Sequence, residues 1–354
     1  MTALDGLGGW PGVIGRLMRR ESLGAEGAAV ALGDILAGNA TSAQIAAFAV
    51  GLRIKGETVE EMSGLVRAML EHAEPVEAGG DQDLVDTCGT GGDHSHSINV
   101  STIAALVVAG AGARVCKHGN RAASSATGSA DLLEALGVAI DLGPAGVARC
   151  VAEAGMGFCF APRYHAASRH AVPTRRDLGV PTVFNFLGPL ANPARPRRQV
   201  VGVSDPAMAE TMLAVLEHNG VVRAMVVHGH DGMDELTTTT TSTVWDMTGG
   251  AFAHKRTYEV DPAELGLNSA GLDQLRGADP ETNAKLARRV LDGELGPHRD
   301  IVLLNAAAGL VVAGYTRDLK EGVHRAAHVI DGGDARRVLE NLVSVSQAAA
   351  AAEA

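Results

Sequence analysis

The chain has 354 residues, a formal net charge of −11 and a composition that is 46% hydrophobic. This acidic balance argues against nucleic acid or an anionic membrane as the main partner, because both are negatively charged. The four cysteines include no C-x-x-C pair, so a zinc cluster is not indicated. Such spacing is typical of buried thiols in a reducing compartment. The first residues lack a signal-peptide pattern and no apolar run reaches membrane-spanning length, so we expect a cytoplasmic protein.

The first 75 residues show a pattern typical of helices. Thr41 with Gln44, and Thr58 with Glu61, match the capping box, in which two side chains satisfy backbone N–H groups at a helix start. Apolar residues then recur at helical spacing: Met62, Leu65, Val66 and Met69. We expect this stripe to form core or a dimer interface rather than a ligand site.

From Leu84 onward, short β-like runs alternate with helices. The predicted strands cover residues 84–87, 114–116, 200–203, 224–228 and 243–246. The predicted helices cover residues from about 100, then 130–136, 206–218, 280–291, 301–312 and 319–331, with a frayed helical end at 347–354. This alternation predicts an α/β fold with a mostly parallel sheet covered by helices.

A glycine-rich loop, Gly89-Thr90-Gly91-Gly92-Asp93, separates the first predicted strand from the next helix. Glycine lets backbone N–H groups approach an anion, and a helix N-terminus adds partial positive charge. Asn99, Ser101 and Thr102 supply hydrogen-bonding groups at the same end. The residue order matches neither the Rossmann nor the P-loop motif. On its own, the loop is either an anion site or a tight turn.

A second polar loop follows the second predicted strand. It begins with Lys117-His118-Gly119-Asn120-Arg121 and continues through Ser124 and Ser125 to Gly128 and Ser129. Lys and Arg side chains neutralise phosphate, and serine hydroxyls bind its oxygens. Two such loops at the carboxyl ends of neighbouring strands suit a ligand with phosphates at both ends.

Two charged clusters complete the candidate residues. The first is Asp231-Gly232-Met233-Asp234-Glu235, which is either a Mg²⁺ site shared with phosphates or an acidic turn in solvent. The second contains Arg163, Arg169, Arg175 and Arg176. Each of these arginines alone is typical of a surface, but as a group they could recognise a carboxylate through a bidentate guanidinium.

Taken in order, these motifs resemble the anthranilate phosphoribosyltransferase family. The resemblance spans nearly the whole chain and is carried by residues 89–93, 99–102, 117–121, 131–134, 184–193 and 231–235. It implies a small N-terminal helical domain over 1–80, joined by helices near 163–180, and a large α/β domain over 81–354 of the nucleoside phosphorylase and phosphoribosyltransferase type. It also implies a homodimer.

The resemblance implies transfer of phosphoribosyl from phosphoribosyl pyrophosphate to the amine of anthranilate, a step of tryptophan biosynthesis that uses Mg²⁺. The products would be N-(5-phosphoribosyl)anthranilate and pyrophosphate. The implied donor-binding residues are Gly89, Gly92, Asp93, Ser97, Asn99, Val100, Ser101, Thr102, Lys117, His118, Gly119, Asn120, Arg121, Ala122, Ala123, Ser124, Ser125 and Ser129. The implied Mg²⁺ ligands are Ser101, Asp234 and Glu235. Gly89, Asn120 and Arg175 would contact anthranilate, with His118 and Pro162 close by. His118, Asn120 and Arg175 are the candidate catalytic residues, with His118 as the candidate proton relay.

The chain departs from the family pattern at three positions. His94 stands where glycine is common, Ser97 where threonine is common, and Ser129 where a small residue is common. His94 matters most, because glycine there would adopt a positive φ at no cost. With His96 it also forms an H-x-H pair, which we interpret as loop histidines because a zinc site needs at least three ligands.

Two alternative functions are open to the same sequence. A pyrimidine nucleoside phosphorylase has a similar architecture, but Asp234, Glu235 and Arg175 would then have no clear purpose. A non-catalytic nucleic-acid-binding relative would need a basic surface, which a net charge of −11 disfavours. Cys116 has no base assigned by the sequence, so we expect it to pack as a small hydrophobe.

Overall fold

The computed structural model describes residues 3–78, 83–122, 126–249 and 253–354. The N-terminal part contains α1 Gly9–Met18, α2 Gly24–Leu36, α3 Ser42–Lys55 and α4 Val59–Glu71. Both predicted capping boxes are confirmed. The Thr41 and Thr58 hydroxyls accept from the N–H groups of Gln44 and Glu61, whose side chains accept in return from the threonine N–H groups. These bonds fix where α3 and α4 begin.

The apolar stripe on α4 is buried inside the chain. Met62, Leu65 and Val66 are 0% exposed, and Met69 is partly buried in the same cluster. Helices α2 and α11 cover α4. Of the two expected outcomes, core or dimer interface, the stripe is therefore core, because neighbouring helices of the same chain already bury it.

The remainder of the chain alternates strands and helices, as predicted. The strands are β1 Val85–Gly89, β2 Val115–Gly119, β3 Met156–Phe160, β4 Arg198–Gly202, β5 Arg223–Gly229, β6 Ser242–Thr248 and β7 His254–Val260. The first helices are α5 Val100–Gly110, α6 Ser129–Ala135, α7 Pro144–Ala154, α8 Ala161–Tyr164, α9 Val172–Leu178, α10 Val183–Leu190 and α11 Ala209–His218. The last are α12 Pro280–Leu291, α13 Pro297–Ala313, α14 Leu319–Asp331 and α15 Asp334–Glu353.

Several boundaries differ from the sequence-based prediction. Strands β3 and β7 are additional to the predicted ones. Residues 206–208 form a 3₁₀ turn, so the α-helix starts at Ala209 instead of Pro206. The C-terminal segment predicted as a frayed helix is the end of the 20-residue α15, and Ala349 within it is buried. Packing against α7 and α5 holds this helix in place.

The sheet has seven strands in the order β3-β2-β1-β4-β5-β6-β7. The first five are parallel, whereas β6 and β7 run antiparallel at one edge. The predicted mostly parallel α/β fold is therefore confirmed. From β1 the chain first builds outward through β2 and β3, then returns to place β4 on the other side of β1. The strand order thus reverses beside β1, where open α/β sheets bind their ligands.

Helices cover both faces of the sheet. Along β5, Met225 and Val227 join one buried cluster, which contains α5 and α13, while Ala224 and Val226 join the other. This alternation follows from the two-residue period of a strand. The second cluster also contains the core of α1 to α4, so the N-terminal helices pack continuously with one face of the sheet. No helix within the described ranges is long and apolar enough to span a membrane.

Candidate active site

Strands β1 and β4 end side by side at the switch point, and each ends in glycine. Gly89 pairs with Gly202 across the two strands. A Cβ atom on Gly202 would overlap the backbone oxygen of Asp234, and one on Gly89 would overlap the Asp234 carboxylate. The segment that carries Asp234 therefore lies against both strand ends because neither has a side chain. Sequence reasoning selected Gly89 but missed Gly202.

The glycine-rich loop after β1 bonds directly to the acidic segment. Gly91 and Gly92 are in left-handed conformations, with φ of 67° and 78°. The Gly91 N–H donates to Asp234 Oδ2 at 2.7 Å, and the Thr90 N–H donates to Gly202 O at 3.0 Å. The loop, the end of β4 and Asp234 are therefore held as one unit.

His94 and His96 continue this loop in unusual backbone conformations. Their φ angles are 56° and 53°, in the left-handed region that a residue with a side chain adopts at a cost. The expectation that His94 occupies a position suited to glycine is thus confirmed. Such strain persists where surrounding structure fixes it, and here the His96 carbonyl accepts from the Gly277 N–H at 2.8 Å.

The first turn of α5 contributes contacts to both loops. The Ser101 N–H donates to Glu235 Oε1 at 3.2 Å. The Asn99 side chain donates to Thr127 O at 2.9 Å and accepts from Asn283 at 3.1 Å. The Ser97 hydroxyl donates to the Ile98 carbonyl. Val100 and Thr102 are 1% exposed, so their side chains belong to the core and only their backbone suits ligand binding.

Lys117 lies beneath the site rather than on its surface. Its side chain is 2% exposed, and Nζ donates to Thr87 O and, at 3.3 Å, to Ser101 Oγ. The positive charge of the Lys117 ammonium group opposes the rise in the pKa of the Glu235 carboxyl. The charge of Lys117 therefore acts on the loops and carboxylates above it.

Arg121 is held by acidic residues of α6. Its guanidinium pairs with Asp131 at 2.8 Å and Glu134 at 2.7 Å, and stacks 5.6 Å from the Phe160 ring centroid. Position 119 requires glycine, because a Cβ atom there would overlap the Ser129 hydroxyl. That hydroxyl donates to Asn120 O at 3.2 Å. The Ala122 N–H also donates to Asp131. The predicted loop residues Ala123, Ser124 and Ser125 lie outside the described residues.

Asp234 and Glu235 are acidic groups with raised pKa values. Burial, followed by the charge of Asp93, raises the pKa of Asp234 to about 7. Burial and the adjacent Asp234 raise the pKa of Glu235 well above its usual value. Desolvation and like charges both disfavour the ionised forms. A cation placed among these groups would reverse this effect.

The donor set fits a metal that is shared with a ligand. Within the described ranges, no group of three or more His, Cys, Asp and Glu side chains is arranged to hold a metal ion by itself. Mg²⁺ commonly binds through only one or two carboxylates, with substrate phosphates and water completing its shell. Asp234 and Glu235, beside a glycine-rich loop at a helix N-terminus, match that arrangement.

His118 is a neutral, buried imidazole. Its Nδ1 donates to Gly188 O at 3.0 Å, and its ring centroid lies 5.1 Å from that of His165. Burial, with a smaller effect of His165, lowers the pKa of His118 to about 3. Nε2 is buried without a hydrogen-bond partner in the described structure. Since Nδ1 carries the proton, Nε2 is left as an acceptor.

Arg175 differs from the other predicted arginines. Arg163 pairs with Asp141, and Arg169 bonds to the local carbonyl of Ala166. Arg175 is half-buried on α9, lies 5.6 Å from the Phe184 ring centroid, and forms no ion pair with any described residue. Burial lowers its pKa below the usual value.

Helix α10 contacts both Arg175 and His118. Arg175 lies over the Phe184 ring, and His118 bonds to the carbonyl of Gly188, four residues further along α10. Asn120 is exposed and directly follows β2, and Pro162 is an exposed residue of α8, which follows β3.

Comparisons with known proteins agree with this architecture. Residues 81–336 match the family model described as glycosyl transferase family, a/b domain, and residues 11–73 match its helical bundle domain. The chain is 52% identical over 346 residues to anthranilate phosphoribosyltransferase of Salinispora arenicola (strain CNS-205), covering 96% of this chain and 97% of the relative. The chain belongs to the anthranilate phosphoribosyltransferase family.

Solved structures of anthranilate phosphoribosyltransferases have the same fold. The enzyme from Thermus thermophilus is 43% identical, with a TM-score of 0.88 over 95% of this chain and 99% of that one. The enzyme from Saccharomyces cerevisiae, solved in complex with PRPP and Mg, is 27% identical, with a TM-score of 0.85 over 96% of this chain and 98% of that one.

Several residues around the site were not among the site residues predicted from the sequence. Asp86 is fully buried, and its carboxylate accepts from Asn192 at 2.8 Å and from the His118 N–H at 3.3 Å. His165 is buried beside His118. Asn192 lies within the quoted stretch 184–193, whereas Asp86 precedes the glycine-rich loop. Their pairing is a tertiary contact between residues 106 positions apart.

Proposed function

We propose that this protein transfers phosphoribosyl from phosphoribosyl pyrophosphate to the amine of anthranilate, giving N-(5-phosphoribosyl)anthranilate and pyrophosphate in tryptophan biosynthesis. The observation that carries the proposal is the junction of the Gly89 loop with Asp234 and Glu235. This junction brings a glycine-rich loop, the N-terminus of α5 and two carboxylates to one place, an arrangement that suits a metal-bound diphosphate. Relatives named for the same activity, at about half identity over the whole chain, support it.

We propose that Mg²⁺ is the cofactor, held by Asp234, Glu235 and Ser101. The S. cerevisiae relative is described in complex with PRPP and Mg. The raised pKa values of the two carboxyls support a cation at this position, because a positive charge offsets their mutual repulsion. When bound, the metal would neutralise charge that develops on the departing pyrophosphate.

The donor would lie across the ends of β1 and β2. We propose that the backbone of the Gly89 loop and the first turn of α5 bind the pyrophosphate. The remaining donor residues of the second loop, including Lys117, Asn120 and Ser129, would bind or support the ribose phosphate. The buried position of Lys117 favours a supporting role through Ser101 and Thr87. The pairing of Arg121 with Asp131 and Glu134 likewise favours holding the loop in shape.

The acceptor would lie beside α10. We propose that Arg175 binds the anthranilate carboxylate, since it carries a half-buried guanidinium with a planar fork. Asn120 would orient the ring, with Gly89 and Pro162 nearby. His118 Nε2, left as an acceptor, would take a hydrogen bond from the amine. A pKa of about 3 makes His118 a weak base, so orientation is its main proposed role.

This division of labour matches the chemistry. An aromatic amine is already a nucleophile, and the difficult part of the reaction is charge building on the leaving pyrophosphate. Such a reaction needs electrostatic stabilisation and alignment more than a strong base. The candidate residues provide N–H groups, hydroxyls, cations and carboxylates, which serve stabilisation and alignment, and they include no strong base.

We also propose a cytoplasmic homodimer, with a helical domain over 1–80 joined by helices near 163–180 and an α/β domain over 81–354. The buried α4 stripe cannot form the interface. Helix α3 contacts both α1 and α9, and these three helices expose Met18, Ile54 and Val172, at 80%, 68% and 45%. Light scattering should give about twice the 36.3 kDa chain mass. A monomer mass at micromolar concentration would contradict the dimer.

Product analysis distinguishes the proposed phosphoribosyl transfer from the alternative function, a pyrimidine nucleoside phosphorylase. Incubation with phosphoribosyl pyrophosphate, Mg²⁺ and anthranilate should give N-(5-phosphoribosyl)anthranilate by mass spectrometry. Parallel incubation with uridine or thymidine and inorganic phosphate should give no free base. Phosphorolysis of either nucleoside, with no phosphoribosylanthranilate formed, would identify the chain as a nucleoside phosphorylase instead.

A further inference from the structure

Asn305, a buried residue of α13, holds the backbone immediately after the two acidic residues. It is 3% exposed and lies 69 positions from Leu236 along the chain. Its Oδ1 accepts from the Leu236 N–H at 3.0 Å, and its Nδ2 donates to the Leu236 carbonyl at 2.8 Å. One side-chain amide thus satisfies both backbone groups of a single residue, as a neighbouring strand would.

The orientation of this amide is fixed within α13 itself. The Nδ2 group also donates to the Ile301 carbonyl at 2.9 Å, one helical turn earlier. The nitrogen therefore faces two carbonyls while the oxygen faces the Leu236 N–H, and a flipped amide would break all three bonds. Helix α13 packs against α5, β1 and β5, so Asn305 is anchored to the elements that surround the site.

Leu236 directly follows Glu235, and Asp234 is packed against the glycines that end β1 and β4. The acidic pair is therefore held in place before and after. Asp234 packs against Gly89 and Gly202, and Asn305 fixes the backbone of Leu236, which follows Glu235. Asp234 and Glu235 are adjacent acidic residues whose like charges repel each other, so holding the two carboxylates together without such bonds would cost free energy.

We propose that Asn305 is a positioning residue for the metal carboxylates Asp234 and Glu235, an inference that rests on the proposed Mg²⁺-dependent reaction. Its side-chain bonds run to Leu236 and Ile301, so it acts by fixing the backbone after Glu235. Loss of its amide would let the Glu235 carboxylate move from the position at which it accepts from the Ser101 N–H. The metal affinity in the presence of donor would fall, while contacts to the acceptor would stay as they are.

Ser346 of α15 provides a matched comparison. It is also buried, at 0% exposure, and its hydroxyl likewise accepts from a distant backbone N–H, that of Ala139 at 3.0 Å, and donates to a carbonyl of its own helix, that of Val343 at 3.1 Å. These bonds join α15 to the segment before α7 and reach none of the residues proposed to bind donor or metal. Replacing either side chain by alanine removes a buried hydrogen-bonding group, so a general loss of stability would affect both variants.

The test compares Asn305→Ala with Ser346→Ala and wild type. Mg²⁺ is titrated into each protein by calorimetry at a fixed, saturating concentration of phosphoribosyl pyrophosphate, and the melting temperature is recorded. Asn305→Ala should weaken metal binding about tenfold or more, a change equivalent to about 1.4 kcal/mol. Ser346→Ala should shift it less than about twofold. In steady-state assays, Asn305→Ala should raise the Mg²⁺ half-saturation without raising KM for anthranilate.

Asn305→Asp keeps the side-chain volume and the acceptor for the Leu236 N–H but loses both donors, so its metal constant should lie between those of wild type and Asn305→Ala. Equal shifts in Asn305→Ala and Ser346→Ala, or an unchanged metal constant, would overturn the proposal. Failure of both Asn305 variants to fold would assign the residue to the core alone and overturn it as well. Wild type that turns over without divalent metal would instead reject the proposed function.

Discussion

The donor half and the acceptor half of the proposed site are built in different ways. The donor half lies at the ends of β1 and β4, where contiguous residues such as the Gly89 loop bond to Asp234. The acceptor half is assembled on helices, with Arg175 of α9 over Phe184 of α10 and His118 bonded to Gly188. The donor half concentrates charge, while the acceptor half contains a neutral imidazole and one guanidinium. We infer that rate acceleration depends on the first and acceptor choice on the second.

The largest effect is expected from removing the acidic pair. The double variant Asp234→Asn with Glu235→Gln should lower turnover on the order of 100- to 1,000-fold, because charge stabilisation at a leaving group is commonly of that size. The fold should survive, since neutral amides relieve the repulsion between partly buried carboxyls. Turnover and circular dichroism check both parts. Undiminished turnover of this variant in excess chelator would show that the carboxylates do not serve a metal.

A smaller effect, confined to the acceptor, is expected at Arg175. Arg175→Ala should reduce catalytic efficiency toward anthranilate roughly 10- to 100-fold, because a charge-assisted hydrogen bond contributes about 1.5–3 kcal/mol. The apparent constant for phosphoribosyl pyrophosphate should stay nearly unchanged. Arg176→Ala, which alters the exposed neighbour, is the matched control and should behave as wild type.

Aniline sharpens the assignment of Arg175. It lacks the carboxylate, so its reaction rate should fall little further when Arg175 is replaced. If the constant for the donor shifts and that for anthranilate does not, Arg175 belongs to the donor half, and the division between the two halves is wrong.

The junction between the loop and the acidic segment should be sensitive to a single methyl group. Gly89→Ala would place a Cβ against the Asp234 carboxylate, so the apparent constant for phosphoribosyl pyrophosphate should rise about tenfold, equivalent to about 1.4 kcal/mol. Gly6→Ala is the control, because no atom lies within 4 Å of the added Cβ. Normal donor binding by Gly89→Ala in calorimetry would contradict the close packing of this junction.

The smallest effect concerns stability against pH. Asp234 keeps its proton up to a pKa of about 7 in the fold, whereas an unfolded aspartate loses it near pH 3.9. Between these values the unfolded chain binds fewer protons, so this group lowers the free energy of unfolding as pH rises from about 4 to about 7. Without metal, the melting temperature of wild type should therefore fall more over this range than that of Asp234→Asn, by a few degrees. Parallel curves would contradict the raised pKa.

The donor half was largely predictable from the sequence, and the reason is local. Loop glycines, the N-terminus of α5 and the acidic pair are short contiguous patterns whose chemistry does not depend on distant residues. The same holds for α3 and α4, where Thr41 and Thr58 begin helices through bonds to residues three positions on.

The rest depends on packing that a linear pattern does not contain. Strand β7 is an edge strand with mostly exposed, polar residues, so it lacks an apolar signal. Gly202 is needed only because Asp234 lies against it. Asn305 and Asp86 reach the site through bonds to residues 69 and 106 positions away. The apolar pattern on α4 fits either core or a dimer interface, because the sequence does not show that α2 and α11 cover it.

The central claim is that this chain moves phosphoribosyl onto anthranilate with a divalent metal at Asp234 and Glu235. The most direct measurement follows loss of anthranilate fluorescence with phosphoribosyl pyrophosphate, in wild type and in the double variant, with Mg²⁺ and then with excess chelator. Rapid loss of fluorescence is expected only for wild type with Mg²⁺. Unchanged fluorescence in wild type with Mg²⁺, or equal rates in chelator, would contradict it.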